Sequence, residues 1–167
     1  MKKIIPILLI LLILCLSGCN TSSLPKEMPD DFSFSIHFDM DGYYDSKTKE
    51  LKNGYNYDLN QECKTSLTLS NEELKTIYSE LRKINIDAIS EDISISPVAP
   101  KPHPMPYIEI RYGDYIHKVR MLNVPNYNIE EWFNYKDFGN VFNNIVEKYI
   151  KNKEEYKNLP DNQRFYE

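Results

Sequence analysis

The residues best suited to metal binding or nucleophilic chemistry are His37, His103, His117 and Cys63. Zinc is held by cysteine and histidine side chains that recur at short, characteristic spacings. No two of these histidines share such a spacing, so the sequence predicts no metal site and no cofactor. His117 falls on the apolar face of a predicted hairpin, where a histidine is more often a packed core or rim residue than a catalyst.

Cys63 could act as a nucleophile only in its thiolate form. Asp58 and Glu62 lie close to it in sequence, and nearby carboxylates raise the pKa of a thiol and suppress the thiolate. We therefore expect an inert thiol at the edge of a strand, we assign no catalytic residue, and we expect that the chain is not an enzyme.

Segment 39–45 contains three aspartates and suggests a calcium loop at first sight. An EF-hand loop needs oxygen ligands at positions 1, 3 and 5, glycine at 6 and glutamate at 12. Aligning Gly42 with position 6 puts His37 first, and aligning Asp39 first puts Tyr43 at a ligand position. Both alignments fail, so a polar loop is expected, with a looser calcium site left as an alternative.

Other chemical signatures are weak. The sequence has no Gly-x-Ser-x-Gly, no glycine-rich phosphate loop and no Ser-x-x-Lys. Its thirteen tyrosines could stack on sugar rings, but they accompany abundant Asn, Lys and Ile, as AT-rich coding produces. The proline-rich segment 97–106 could be a ligand for a groove-binding domain; a rigid connector is the favoured interpretation.

The first 19 residues contain a motif of a different kind. A basic start at Lys2 and Lys3, an apolar run over 4–16 and small residues before a cleavage point are typical of a secretory signal. The run is too short for a transmembrane helix, which needs about 20 apolar residues. Leu16-Ser17-Gly18-Cys19 resembles the lipobox of bacterial lipoproteins.

This resemblance implies that residues 1–18 are a signal peptide and that Cys19 receives a diacylglycerol, with palmitate among the possible acyl chains. Two acyl chains anchor a protein stably, whereas one does so only marginally. The resemblance therefore implies a cell-membrane lipoprotein on the extracytoplasmic side, whose first partner is the membrane itself.

The mature chain expected from this processing excludes several classes of protein. Loss of Lys2 and Lys3 leaves 18 basic residues against 25 acidic ones, a formal net charge of −7. Such a chain is not a basic nucleic-acid binder, so no nucleic-acid partner is predicted. Because Cys15 leaves with the signal and Cys19 is lipidated, Cys63 has no partner for an internal disulfide. A polytopic membrane protein and a multidomain enzyme are also disfavoured.

Four segments follow from the composition. After the signal peptide, residues 19–31 hold the lipidated cysteine and a polar, proline-containing stretch that is expected to be a flexible tether. Residues 32–160 have enough apolar residues for a single domain. Residues 161–167 are expected to form a C-terminal tail.

The first half of the domain contains a strongly alternating strand at 32–38. A two-residue turn at Asp41-Gly42 would place lysines against its apolar face, so 39–53 is predicted to be a long polar loop. Further strands are predicted at 54–60 and 64–69. Ser70 and Glu73 form a capping box that begins a helix ending near Asn85.

The second half begins with residues 86–106, which show no clear period. A hairpin over 107–122, turning at Gly113-Asp114, pairs Ile108 with Val119 on the apolar face. Apolar residues at helical spacing predict a second amphipathic helix from near Asn134 to before Pro160.

The predicted order is β-β-β-α-β-β-α. It indicates an α+β fold with an antiparallel sheet of about five strands and two amphipathic helices on one face. We expect one core, which should contain Phe34, Ile36, Leu81, Ile110, Val119, Phe142 and Ile145.

The Ser70 capping box, the Tyr57-x-Leu59 strand and segment 153–160 resemble uncharacterised small lipoproteins of low-GC Gram-positive bacteria. That resemblance implies no activity. The favoured function is a non-catalytic binding or interaction domain anchored in the membrane. A protein in the cell envelope is one candidate partner. Two alternatives stay open: an immunity or inhibitor lipoprotein that neutralises a toxin or hydrolase at the cell surface, and a small cryptic hydrolase.

Overall fold

The structure, a computed structural model, describes residues 22–39, 41–94, 106–122 and 129–163. These residues form an α+β fold, as the sequence predicts. Within them lies a seven-stranded sheet with the spatial order β4-β3-β2-β1-β6-β7-β5. The strands are β1 (Ser33–Phe38), β2 (Gly42–Asp45), β3 (Glu50–Asn56), β4 (Gln61–Ser66), β5 (Asp92–Ser94), β6 (Tyr107–Tyr112) and β7 (Tyr115–Leu122). The helices are α1 (Asn71–Lys83), α2 (Ile129–Asn144) and α3 (Glu154–Lys157), with a 3₁₀ turn at Ile86–Ala88 and a π-helix at Ile145–Lys151.

The prediction of five antiparallel strands is corrected by two additional strands. The short strand β5 pairs in parallel with β7 at one edge of the sheet, so the sheet is mixed. Its central residue, Ile93, is 1 % exposed. A three-residue strand is too short to show an alternating pattern, so this segment has no recognisable period.

The long polar loop predicted at 39–53 is wrong, because it contains β2 and the start of β3. The connection after β1 comes earlier in the chain than the rejected turn: Phe38 pairs with Gly42 and Ile36 with Tyr44. This register places Tyr44, which is fully buried, beside Ile36 on the core face. Asp39 makes the tight connection possible with a φ of 51°, a left-handed conformation that aspartate tolerates better than most residues.

The following strands are shifted relative to their predicted positions. Tyr57 and Leu59 lie in the β3–β4 turn rather than in a strand, and their exposed fractions are 54 % and 58 %. The hairpin of β6 and β7 has the predicted register, with Ile108 opposite Val119 and Ile110 opposite His117. The capping box of α1 is also confirmed, since Ser70 accepts from the backbone N–H of Glu73 and the Glu73 carboxylate accepts from that of Ser70.

The second predicted helix consists of three successive pieces. α2 continues into the π-helix Ile145–Lys151, and α3 follows after a break at Asn152 and Lys153. The π-helix buries Ile145, Val146, Tyr149 and Ile150.

All seven predicted core residues are buried in one apolar cluster. This cluster joins alternate residues of the strands to α1, α2 and the π-helix, so these helices cover the same face of the sheet. The opposite face of the central strands carries polar and aromatic side chains and is called the open face below.

Residues 22–31 differ from the flexible tether that the sequence predicts. Leu24 is 2 % exposed within the core, and its carbonyl accepts from Arg82. The Tyr78 hydroxyl donates to the carbonyl of Pro25 over 2.7 Å. Apolar packing of Leu24 and Met28 together with these backbone contacts therefore holds a segment whose composition is that of a linker.

Residues 161–163 likewise pair with the β3–β4 hairpin instead of forming a tail. The backbone N–H of Gln163 donates to the carbonyl of Tyr55 over 3.1 Å. Gly54 has a φ of +86°, and a Cβ there would come within 2.3 Å of the Asn162 side chain. This position thus requires glycine both for its backbone conformation and for the close approach.

None of the described helices combines the length and the apolar character needed to cross a membrane.

Candidate functional site

Cys63 is a buried free thiol on the edge strand β4. Burial raises its pKa, and Asp161 raises it further. The carboxylate responsible is thus Asp161, brought in from the C-terminal segment, and not the sequence neighbours Asp58 and Glu62. Cys63 thus lies on an edge strand, as the sequence predicts, and its lack of reactivity stays a prediction.

The two histidines within the described residues lie apart from one another. His37 is on the open face, His117 is half-buried opposite Ile110, and His103 lies outside the described residues. Nδ1 of His37 and Nε2 of His117 are buried and have no hydrogen-bond partner among the described residues. Burial lowers the pKa of His37; Asp41 opposes this effect and Lys118 adds to it.

The aspartates of segment 39–45 point in different directions. Asp39 forms an ion pair with Lys151 at 2.9 Å, Asp41 accepts from Asn162, and Asp45 faces Arg111. Within the described ranges, no group of three or more His, Cys, Asp or Glu side chains is placed to share a metal ion.

The open face centres on a buried carboxylate that sequence reasoning missed. Asp45 is 4 % exposed, and its Oδ2 lies 2.9 Å from an Arg111 guanidinium nitrogen. Its Oδ1 accepts from the backbone N–H groups of Lys47 and Thr48 at 2.8 and 3.0 Å. Burial alone would raise the pKa of Asp45, but these hydrogen bonds together with Arg111 lower it below its usual value.

An aromatic and cationic row lies next to this carboxylate. Tyr107 stacks on His37 with ring centroids 5.6 Å apart, and the Lys118 ammonium lies 3.6 Å from the Tyr107 ring centroid. Glu109 forms an ion pair with Arg111 at 2.9 Å. Because these charges satisfy one another, we interpret the row as the element that holds strands β1, β2, β6 and β7 in register.

A concave feature lies at the end of the sheet where β1 ends, and we call it the end cavity. Its volume is about 370 Å³, within the range of small-molecule sites. The apolar wall consists of Phe38, Pro106, Met121, Phe142 and Val146. The polar wall consists of Asp39, Lys136, Asn143, Glu147 and Lys151.

Lys151 is the electrostatic centre of the end cavity. Its ammonium lies 2.9 Å from Asp39 and 3.0 Å from Glu147. Burial lowers the pKa of Lys151, but the two carboxylates outweigh burial and raise it. The group is therefore a fixed cation held between two anions at the mouth of an apolar hollow.

The π-helix positions this ion cluster. Val146, Glu147 and Lys151 all belong to it and all line the end cavity. π-helical turns inside longer helices are rare and occur often at functional sites. The π-helix thus contributes Val146 to the apolar wall and Glu147 and Lys151 to the polar wall.

The sequence contained only partial signals for these features. Asp45 followed by Ser, Lys and Thr is compatible with an Asx turn, which the structure contains. The end cavity had no local signal, since its walls come from three separate parts of the chain. Of the proline-rich segment 97–106, only Pro106 lies within the described residues, and it lines the end cavity.

Comparison of the chain with protein-family models, with curated proteins and with solved structures gives no match.

Proposed function

We propose that this chain is a lipid-anchored, extracytoplasmic binding protein without catalytic activity, whose ligand site is the end cavity. Two observations support this proposal: the lipobox Leu16-Ser17-Gly18-Cys19 and the cavity itself. The membrane is its partner through the lipid, and no nucleic-acid partner is expected of a chain whose mature net charge is −7.

The observation that carries the binding function is the combination of an apolar hollow with a fixed charge cluster. Ligand sites are commonly mostly apolar, with a few polar groups that fix orientation. Phe38 and Phe142 provide apolar surface, while Lys151 and Glu147 offer a cation and an anion on one side. The class of ligand that fits is a small molecule with an apolar body and a charged or zwitterionic end.

Gly139 allows a direct test, because it lines the end cavity and a Cβ there would meet no atom within 4 Å. We expect Gly139→Leu to fold and to fill the hollow, so that it abolishes ligand binding. Gly139→Ala is the matched control. It should retain binding and stabilise α2 by about 0.5–1 kcal/mol, since alanine is a better helix former than glycine.

The measurement is native mass spectrometry of the purified protein after incubation with a small-molecule extract of the cell envelope, accompanied by thermal melts. Wild type and Gly139→Ala should retain the same bound mass, and Gly139→Leu should lose it. Equal retention by all three proteins, or no retention by wild type, would remove the end cavity as the ligand site.

An immunity or inhibitor lipoprotein is the second candidate, and one observation favours it. Tyr57 and Leu59 expose large apolar side chains in the same turn, and the acidic chain would steer a basic partner toward it. For this function, Tyr57→Ser with Leu59→Ser should abolish protection against a toxin or hydrolase. Gly139→Leu should leave that protection intact.

A further inference from the structure

The first described residues are attached firmly to the domain. The Ser22 hydroxyl donates to the Asp87 carboxylate over 2.6 Å, and the Ser23 backbone N–H donates to the same carboxylate over 2.6 Å. Together with the buried Leu24, these contacts attach residues 22–24 to the domain.

The chain between this attachment and the proposed lipid is very short. Only Asn20 and Thr21 separate Cys19 from Ser22, so the two Cα atoms can be at most about 11 Å apart even when fully extended. A domain of this size has a radius of gyration of about 14 Å. The domain is therefore wider than the length of the connection between Cys19 and Ser22. The surface around Ser22 must stay close to the lipid headgroups.

The surface next to the attachment point is basic, although the chain as a whole is acidic. A shallow depression beside it is lined by Lys26, Lys75 and Arg82, with Glu27 as the one carboxylate among its described lining residues. Tyr78 and Arg82 of this depression are the residues that hold Pro25 and Leu24. We call this surface the basic patch.

The opposite end of the sheet carries the end cavity. Tyr78 of the basic patch packs against Phe32, just before β1, with ring centroids 4.9 Å apart, whereas Phe38 at the end of β1 lines the cavity. The five steps from Ser33 to Phe38 span about 17 Å at about 3.4 Å per residue.

We propose that the basic patch lies against the anionic phospholipid surface of the membrane, and that the end cavity is thereby directed away from the bilayer. This inference rests on the proposed lipid anchor at Cys19. Two independent features point to the same arrangement. The short connection between Cys19 and Ser22 limits which surface can reach the headgroups, and the cations on that surface complement anionic lipids.

The test uses the full lipidated protein, purified from membranes and reconstituted into vesicles that contain phosphatidylglycerol. Two variants in a Cys63→Ser background each carry one fluorophore, at Ser79→Cys in the basic patch or at Leu59→Cys in the exposed β3–β4 turn. A nitroxide on the lipid headgroup is the quencher. We expect quenching at position 79 to be several-fold stronger than at position 59.

Further variants and vesicles separate the electrostatic contribution from the orientation and from the lipid anchor. Lys26→Glu with Lys75→Glu, or vesicles of phosphatidylcholine alone, should reduce the difference between the two labels; an unchanged difference would overturn the electrostatic part of the proposal. Equal quenching at both positions in protein that still floats with the vesicles would overturn the orientation while leaving the anchor intact. Protein that does not float would overturn the anchor and the orientation together.

Discussion

Phe34→Ala is expected to lower the free energy of unfolding by about 3–5 kcal/mol, the usual cost of truncating a fully buried phenylalanine. Phe34 is 0 % exposed at the centre of the core. Its ring lies 5.8 Å from that of Tyr44 in an edge-on arrangement and 6.4 Å from that of Phe32. A domain of this size is stable by only about 5–15 kcal/mol in total, so the variant should be close to unfolding at growth temperature.

Chemical denaturation of the purified protein measures this change. Ile116→Ala is the control, since Ile116 is 65 % exposed on β7, and it should alter stability by no more than about 0.5 kcal/mol. Equal losses for the two variants would contradict the single core on the helix-covered face.

Asp45→Ala is expected to destabilise the protein by about 3 kcal/mol, because it leaves Arg111 without its buried partner and two backbone donors unsatisfied. Asp45→Asn separates these contributions. Its side-chain oxygen can still accept from the N–H groups of Lys47 and Thr48, so Arg111 loses one of its two ion pairs and keeps the one with Glu109. The asparagine variant should therefore lose less stability than the alanine variant.

The difference in stability between wild type and Asp45→Asn is expected to depend on pH with a definite sign. The pKa of Asp45 is lower in the folded protein than its ordinary value of 3.8. A carboxylate with a lowered folded-state pKa adds stability above its unfolded pKa, and this stability is lost as the pH falls through the folded value. The advantage of wild type over Asp45→Asn should be constant above about pH 5 and shrink below about pH 4.

Urea unfolding of both proteins across this range gives the difference directly, since the other carboxylates titrate in both. A difference that stays constant down to pH 2, or that grows on acidification, would show that the Asp45–Arg111 pair does not stabilise the ionised form.

Local patterns predicted the elements that depend on local order. β1 alternates along its length, the Gly113-Asp114 turn fixes its own register, and Ser70 with Glu73 marks the start of α1. In each case the signal lies within a few neighbouring residues, so the element can be recognised without knowledge of the rest of the fold.

Features that depend on long-range contacts could not be found in this way. β2 has four residues and its register depends on the positive φ of Asp39, which no pattern of hydrophobicity reveals. Leu24 is buried in a segment held by Tyr78 and Arg82 of α1, which are more than 50 residues away in the chain. The end cavity depends on bringing Phe38, Met121 and Lys151 to one place, and these residues are distant in sequence.

The lipid anchor is the claim on which the orientation and the localisation both depend, and Cys19→Ala tests it. The measurement combines membrane fractionation with mass spectrometry of the N-terminal peptide from both proteins. The wild-type peptide should begin at Cys19 and carry a diacylglyceryl group, whereas the variant should accumulate as an unlipidated precursor that retains residues 1–18. A Cys19→Ala protein that is cleaved normally and fractionates with membranes like wild type would contradict the anchor.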